Sequence, residues 1–357
     1  MKHKIAFLIG TMRCGGAQRV VSVLSKYFVN YGWDVSVVTT SDSIVDYSLE
    51  DEVQILALSD KLDGKLFRRI RTILEVRKAL KKQKYQYVVA FLPMTCIYVA
   101  ICKALGGKFK YIASERMDPY QNPDSKALRQ LRNWAYSKAD GMVFQTKNAQ
   151  MYFSKKIQKK SCIIFNPVNE KIPSQYYGKR EKRIVSAIRL EKQKNIPMLI
   201  DAFARFHTLH PEYNLEIYGK GSMQNELQSK IEEKGLSQSF FLKGFCVDVY
   251  KKMERAEFFV LPSDYEGVSN SMLEALCMGL PVVSTNHPIG GAQMFIHNNK
   301  NGYLTPVRDS EAFFFAMDKM AKLSGEDYQK FSDAAYEVRN QLHPDAICKQ
   351  WEEFILK

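Results

Sequence analysis

The chain contains no Cys-x-x-Cys pair among its 7 cysteines, no low-complexity tract, and no apolar run long enough to cross a bilayer. Scattered cysteines in odd number indicate neither a disulfide framework nor a zinc knuckle, and reduced thiols in a cytoplasmic compartment are expected. The longest apolar stretch, 87–101, is broken by Pro93 and Thr95 and falls short of the ~20 residues a spanning helix needs. Ile5–Ile9 runs straight into Gly10 with no small-residue cleavage site after a longer apolar region, so no signal peptide is expected. Also missing are Gly-x-Gly-x-x-Gly, which disfavours a nicotinamide dehydrogenase, the phosphate loop Gly-x4-Gly-Lys-Ser/Thr, and the metal-binding patterns Asp-x-Asp and His-Glu-x-x-His. A soluble or peripheral protein is expected.

What is present is an ordinary folded composition, 46% hydrophobic and 25% charged over 357 residues, a length that suits two domains with a core each. The net charge of +14 is one-sided. Residues 1–170 carry 28 Lys and Arg against 14 Asp and Glu, whereas 171–357 carry 24 against 24. A basic field confined to one half attracts nucleic acid, anionic lipid headgroups or a phosphorylated substrate, and charge alone does not choose among them.

The pattern of elements is repetitive. A buried strand over 4–9 leads through the loop 10–16 into a helix over 17–31, then a strand over 35–39. A helix over 65–82 and strands at 87–91, 111–114, 141–145 and 163–165 continue the alternation. The polar stretch 171–182, with Pro173 and Gly178, reads as a linker. The alternation then restarts with strands at 183–188, 215–218, 240–242, 258–261 and 282–284. The fold class is therefore α/β, with two doubly wound Rossmann-like parallel-sheet domains facing a cleft. The boundaries are 1–170, a linker at 171–182, 183–340, and a C-terminal helix at 341–357 returning towards the first domain.

Ligands of open parallel sheets bind beyond the carboxyl ends of the strands, where helix N-termini point. Four loops at such places carry candidate chemistry. Gly15 and Gly16 would let backbone N–H groups approach an anion at a helix start, although a tight turn also explains them. Arg189 and Lys194 suit a diphosphate, the first as a planar fork and the second as a point charge, with Asn195 placed to cap the following helix; two solvated cations are the plainer alternative. Gly219 and Gly221 could pass under a nucleotide, or merely turn the chain. The most telling stretch runs from Ser263 to Pro281. There Glu266, beside Gly267 at a strand end, and Glu274, on a helix beginning near Ser271, are placed to face one ligand from different heights.

Arg189 and Lys194, Gly219-Lys-Gly221, Gly244-Phe245, and Ser263, Glu266-Gly267, Glu274 and Gly279-x-Pro281 together resemble glycosyltransferase family 4, whose members are retaining, nucleotide-sugar-dependent enzymes of the two-domain GT-B fold. The resemblance is specific in the C-terminal half and a matter of outline in the first, where Gly15-Gly16 matches the family's glycine loop. It implies that Arg189 and Lys194 hold the donor diphosphate and stabilise charge on the leaving group. Glu266 would sit by the donor sugar and Glu274 would accept from the ribose hydroxyls. Backbone near Gly244 and Phe245 would line the base pocket, and the Gly15-Gly16 loop would close over donor and acceptor. No metal or other cofactor is implied. After Pro288-Ile-Gly-Gly291 the family commonly places a Glu, where this chain has Ala292-Gln293. Glu115-Arg116-Met-Asp118-Pro119 resembles the bacterial polysaccharide branch and puts Arg116 and Asp118 on the acceptor side.

The segment 65–84 carries nine cations and one acid, Glu75, with Leu66, Ile70, Ile73, Leu74 and Leu80 as an apolar stripe. It is either a covering helix with a solvated face or a contact with anionic headgroups or a lipid-linked diphosphate. The resemblance implies a transferase moving a hexose or N-acetylhexosamine from a nucleotide sugar, expected to be UDP-linked, to a lipid-linked saccharide at the inner face of the cytoplasmic membrane, with no nucleic acid involved. Its rivals are a soluble transferase acting on a free sugar or sugar phosphate, and a non-catalytic RNA- or membrane-binding protein.

Overall fold

A computed structural model describes residues 2–13, 15–58 and 68–357. The chain divides into two units, residues 1–167 with 344–357, and residues 168–343. The first division thus falls three residues before the expected boundary at 170, the segment expected as a linker is part of the second unit, and the C-terminal helix belongs to the first.

In the first unit β1 (Lys4–Ile9), α1 (Gly16–Asn30), β2 (Asp34–Thr39), β3 (Gln54–Ala57), α2 (Arg68–Gln83), β4 (Tyr87–Phe91), α3 (Pro93–Ala104), β5 (Lys110–Ser114), α4 (Lys126–Lys138), β6 (Gly141–Phe144), α5 (Lys147–Met151), α6 (Lys155–Lys159) and β7 (Ser161–Ile163) follow one another. The strands pair in the order β3-β2-β1-β4-β5-β6-β7, all parallel. Continuous apolar runs such as Ile5–Ile9 are buried because helices cover both faces of such a sheet. β3 was not anticipated: it is an edge strand of four residues with Gln54 and Ile55 exposed, too short and too open for a pattern. β7 begins two residues before the strand expected at 163–165, its register set by pairing Ser161 to Met142 and Ile163 to Phe144.

α2 corrects the expected stripe. Thr72, Val76 and Leu80 are the residues it buries, while Ile70 and Leu74 are each 57% exposed. Packing against α3 turns the helix so that, of the expected aliphatics among the described residues, only Leu80 is fully buried. Lys65 and Leu66 of that expected helix lie outside the described residues.

The second unit runs β8 (Arg183–Ala187), a 3-10 turn (Lys192–Lys194), α7 (Ile196–Leu209), β9 (Asn214–Tyr218), α8 (Gln224–Glu233), β10 (Phe240–Gly244), α9 (Val249–Met253), β11 (Phe258–Leu261), α10 (Asn270–Cys277), β12 (Val282–Thr285), β13 (Gly302–Thr305), α11 (Ser310–Ala321), α12 (Gly325–Tyr336) and α13 (Val338–Gln341). Its strands order as β10-β9-β8-β11-β12-β13, again all parallel. The chain then enters the first unit as α14 (Pro344–Leu356), packed on α1 with Trp351 fully buried. Glu352 fastens this helix by accepting from the Tyr27 hydroxyl and the Trp33 indole N–H, each at 3.1 Å.

In each sheet the strand order reverses once, between β1 and β4 in the first unit and between β8 and β11 in the second. Two neighbouring strands there send their chains in opposite directions, so the loops beyond them separate and leave a crevice.

Candidate active site

The crevice of the second unit is built by the loops after β8 and β11. Beyond β8 the chain makes a tight turn in which the Lys194 N–H donates to the Glu191 carbonyl at 2.8 Å. Asn195 follows in the left-handed region at φ 44°. It does not cap α7 with its side chain, as the sequence suggested; its amide instead donates to Asp264 Oδ1 at 2.7 Å. Asp264 is also held by Arg308 Nε at 2.9 Å, and its own N–H donates to the Gln193 carbonyl at 2.9 Å. Gln193 Nε2 returns a bond to the Tyr265 carbonyl at 2.6 Å. The two loops are therefore latched at several points, and two side chains far apart in sequence are brought together between them.

Those side chains are Lys194 and Glu266. The ammonium donates to Glu266 Oε1, and both residues are 8% exposed. Ser263 Oγ donates to the same oxygen at 2.9 Å. Burial pushes the Glu266 carboxyl up, but the Lys194 charge and hydrogen bond, helped by His287 and Ser263, outweigh it and hold the group below the ordinary carboxylate range. Glu266 is thus an ionised carboxylate kept out of water, poised to interact with positive charge or hydroxyl groups.

Arg189, by contrast, is exposed on the same loop, where its charge acts on Glu191. Glu274 is buried on α10 among Met272, Leu273, Ala275 and Leu276, an uncommon place for a carboxylate. Gly267 is buried beside Glu266. Gly219 and Gly221 have a packing duty: a Cβ at these positions would stand 1.9 Å from the Ile188 carbonyl oxygen and 2.2 Å from that of Leu190. They allow their loop to lie directly against the backbone that carries Arg189. Gly244 adopts φ 71° and gives its carbonyl to the Gly219 N–H at 2.9 Å, leaving the Phe245 ring 55% exposed.

Two functional-site residues gave no sequence signal. Glu191 accepts from the Ser222 N–H and hydroxyl at 3.1 and 2.9 Å, tying the glycine loop to the lysine loop, and these bonds hold its carboxyl below the ordinary range. His287, after β12, is 1% exposed and sits where both Glu266 and Lys194 act on it electrostatically. Burial pushes its imidazole down to about 4. At the position where Ala292-Gln293 replaces an expected Glu, Ala292 is buried and Gln293 exposed.

In the first unit the corresponding crevice is a cavity of about 720 Å³, lined among others by Gly10, Thr40, Arg69, Pro93, Asn122 and Ser125. Leu92 at its edge has φ 74° and ψ 151°, a region nearly reserved for glycine. Such strain persists only where the surroundings impose it, and it clusters at functional sites. Gly15 donates to and accepts from the Tyr47 hydroxyl at 3.0 and 2.9 Å, which pins the glycine loop ahead of Gly16, the first residue of α1. Arg116 and Asp118 do not stand on the loop surface. Arg116 is buried against the neighbouring rings of Phe91 and Trp351, 5.3 and 5.2 Å from their centres, and donates to Asn166 Oδ1 at 2.8 Å. Asp118 is buried and accepts from the Tyr120 N–H at 2.8 Å, so it builds its own turn. Among the described residues no group of three or more His, Cys, Asp or Glu is placed to hold a metal ion, and no helix is long and apolar enough to cross a membrane.

Residues 168–338 match the family described as glycosyl transferases group 1, and residues 14–171 match glycosyltransferase family 4. Two proteins of Campylobacter jejuni are similar over most of their length. One is N-acetylgalactosamine-N,N'-diacetylbacillosaminyl-diphospho-undecaprenol 4-alpha-N-acetylgalactosaminyltransferase, 26% identical, with 89% of this chain and 90% of that protein covered. The other is the alpha-1,4-N-acetyl-D-galactosaminyltransferase acting on GalNAc-alpha-(1->4)-GalNAc-alpha-(1->3)-diNAcBac-PP-undecaprenol, 27% identical over 92% and 90%. Among solved structures, Anabaena Alr3699/HepE in complex with UDP and glucose shares the fold at TM-score 0.85 and 19% identity, covering 98% of both chains. Two reversing parallel sheets, the lysine–glutamate pair at one of them and matches that together run from residue 14 to 338 lead to one assignment: this chain belongs to the family 4 glycosyltransferases of the GT-B fold.

Proposed function

We propose that this glycosyltransferase moves a hexose or N-acetylhexosamine from a UDP-sugar to a saccharide carried on a lipid diphosphate, with retention of anomeric configuration. The observation that carries the reading is the buried Lys194–Glu266 pair at the strand reversal of the second sheet. In this reading Lys194 and the exposed Arg189 meet the donor diphosphate and offset the charge that grows on the leaving group. Glu266, already ionised and dry, orients the sugar hydroxyls and favours positive charge at the anomeric carbon. The departing phosphate takes the acceptor's proton on the face it leaves, so the configuration is kept. Glu274 serves the ribose, and the Phe245 ring with Gly244 serves the base. These cations do the electrostatic work without a metal ion.

The acceptor side of the reading rests on the first unit. The names of the Campylobacter relatives place their acceptors on undecaprenol diphosphate. Here α2 presents Ile70 and Leu74 to solvent beside the exposed cations Arg69 and Arg71, and Arg69 also lines the 720 Å³ cavity. Exposed aliphatics among cations suit an anionic membrane surface, with ~1 kcal/mol gained per cation near it. We place the enzyme at the membrane surface on this ground. The test is turnover of radiolabelled UDP- and GDP-sugars with undecaprenyl-diphosphate saccharides, the product anomer being read by NMR. Transfer only to free sugars, or an inverted product, overturns the reading.

A further inference from the structure

We propose that His287 is a positioning residue that takes the place of Lys194 at Glu266: when a donor diphosphate draws the ammonium away, the imidazole donates its N–H to the carboxylate and keeps it aimed at the sugar. The inference rests on the donor reading above and adds a residue to it.

Three observations meet at this side chain. His287 is 1% exposed, and neither Nδ1 nor Nε2 has a hydrogen-bond partner. A neutral imidazole always carries one N–H, so a donor is held out of water without an acceptor, a costly arrangement that native interiors avoid. Second, the charged groups that act on the ring are Glu266, which attracts a proton to it, and Lys194, which repels one. Third, the ring is closely packed against the loop that carries Gly291. A Cβ on Gly291 would be 3.2 Å from His287 Cε1 and 1.9 Å from the Gly267 carbonyl oxygen, so the absence of a side chain at Gly291 leaves the ring its room beside the Glu266 loop.

Lys194 cannot serve two masters. Its ammonium is engaged by Glu266, and a diphosphate competes for it with greater charge. A carboxylate stripped of that partner while buried would gain a proton and lose its function. His287 is the neighbouring group with a donor to spare. With Lys194 turned to the phosphates, its repulsion of the imidazole is offset and the attraction of Glu266 remains, so the proton affinity of His287 rises in the complex.

The experiment uses the whole protein, with histidines labelled at Cε1 and the His287 signal assigned from His287→Gln. On adding UDP, the His287 midpoint is expected to rise by more than one pH unit. Kinetics provide the second arm: His287→Phe, which keeps a ring without a donor, is expected to lower kcat roughly 100-fold with little change in the KM for the donor. The acid limb of its kcat profile is expected to move to higher pH, because Glu266 then protonates more readily. His287→Gln or His287→Asn, which restore an N–H, are expected to recover much of kcat. An unmoved His287 signal in UDP-saturated wild type overturns the proposal, as does a His287→Phe enzyme with wild-type kcat and acid limb. If wild type binds no nucleoside diphosphate by calorimetry, the donor reading itself fails and takes the proposal with it.

Discussion

Lys194 and Glu266, 72 residues apart in the chain, form a buried ion pair to which Ser263 adds a hydrogen bond at 2.9 Å. Taking two charges out of water is expensive, and well-packed apolar residues would stabilise the fold at least as well. The pair therefore reads as a site maintained for chemistry. Removing the ammonium leaves Glu266 only the Ser263 hydroxyl and the His287 imidazole: Lys194→Ala is expected to destabilise the fold and to abolish turnover. Glu266→Gln is expected to lower kcat roughly 1000-fold while remaining folded. The double variant Lys194→Met/Glu266→Gln is expected to regain stability without regaining activity. Urea unfolding beside turnover separates these outcomes, and near-wild-type activity of either single variant refutes the assignment.

Acid should weaken the second unit in a defined window. His287 falls from the ordinary 6.5 to about 4 on folding, so the unfolded chain binds its proton more tightly. The resulting penalty is absent above pH 6.5, grows as pH falls towards 4, and levels at roughly 3 kcal/mol. Glu266 is also lowered, so the stability it contributes is present above the ordinary carboxylate value and fades as pH drops through its folded one. Unfolding free energies measured from pH 7.5 to 4 should fall accordingly. His287→Gln should flatten the part between 6.5 and 4; an unchanged slope in that variant would remove His287 as the cause.

The glycines differ in what they tolerate. Gly221→Ala places a methyl 2.2 Å from the Leu190 carbonyl oxygen, and Gly291→Ala places one 1.9 Å from that of Gly267. Both obstacles are backbone, so each substitution should cost about 2–3 kcal/mol and depress turnover with it. Gly325→Ala, at the first residue of α12 with nothing within 4 Å, should leave stability unchanged or raise it by up to ~1 kcal/mol. Equal effects at all three positions would contradict this account.

Binding to vesicles should depend on the outward face of α2. Ile70→Gln and Leu74→Gln should each weaken attachment to anionic phosphatidylglycerol vesicles about tenfold, from the ~1.5 kcal/mol a buried aliphatic contributes. Attachment should fall with added salt and be poor on neutral phosphatidylcholine. Flotation assays decide; undiminished binding of the double variant excludes this face.

Arg69 joins that face to the cavity of the first unit. Arg69→Ala should raise the KM for a lipid-diphosphate acceptor about tenfold and leave the KM for the donor alone. Steady-state kinetics with each substrate varied in turn read the difference, and a change confined to the donor would place Arg69 elsewhere.

Some of this molecule was written in local patterns. Ile5–Ile9 and Phe258–Leu261 are buried strands because parallel sheets covered on both faces demand unbroken apolar runs, and that demand shows in four or five consecutive residues. Glu266 and Glu274 stood out through their setting, with Gly267 beside the first at a strand end, small polar residues at the helix start, and Gly279-Leu-Pro281 introducing the next strand. Asn195 was misread because its left-handed backbone and its bond to Asp264 depend on a loop 69 residues away. The face of α2 was misread because periodicity reveals that a helix has two sides, whereas packing on α3 determines which aliphatics go inward.

What the sequence alone determined is the alternation of strands and helices, the loops at strand ends, and which residue types could grip a diphosphate; these follow from short-range periodicity and side-chain chemistry. The tertiary structure alone decided that Lys194 neutralises Glu266, that Arg116 packs against two aromatic rings, and that His287 stands unpaired beside the site. The physical reason is that charge and hydrogen-bond pairing act through space over a few ångströms, and folding brings residues that are dozens of positions apart within that range.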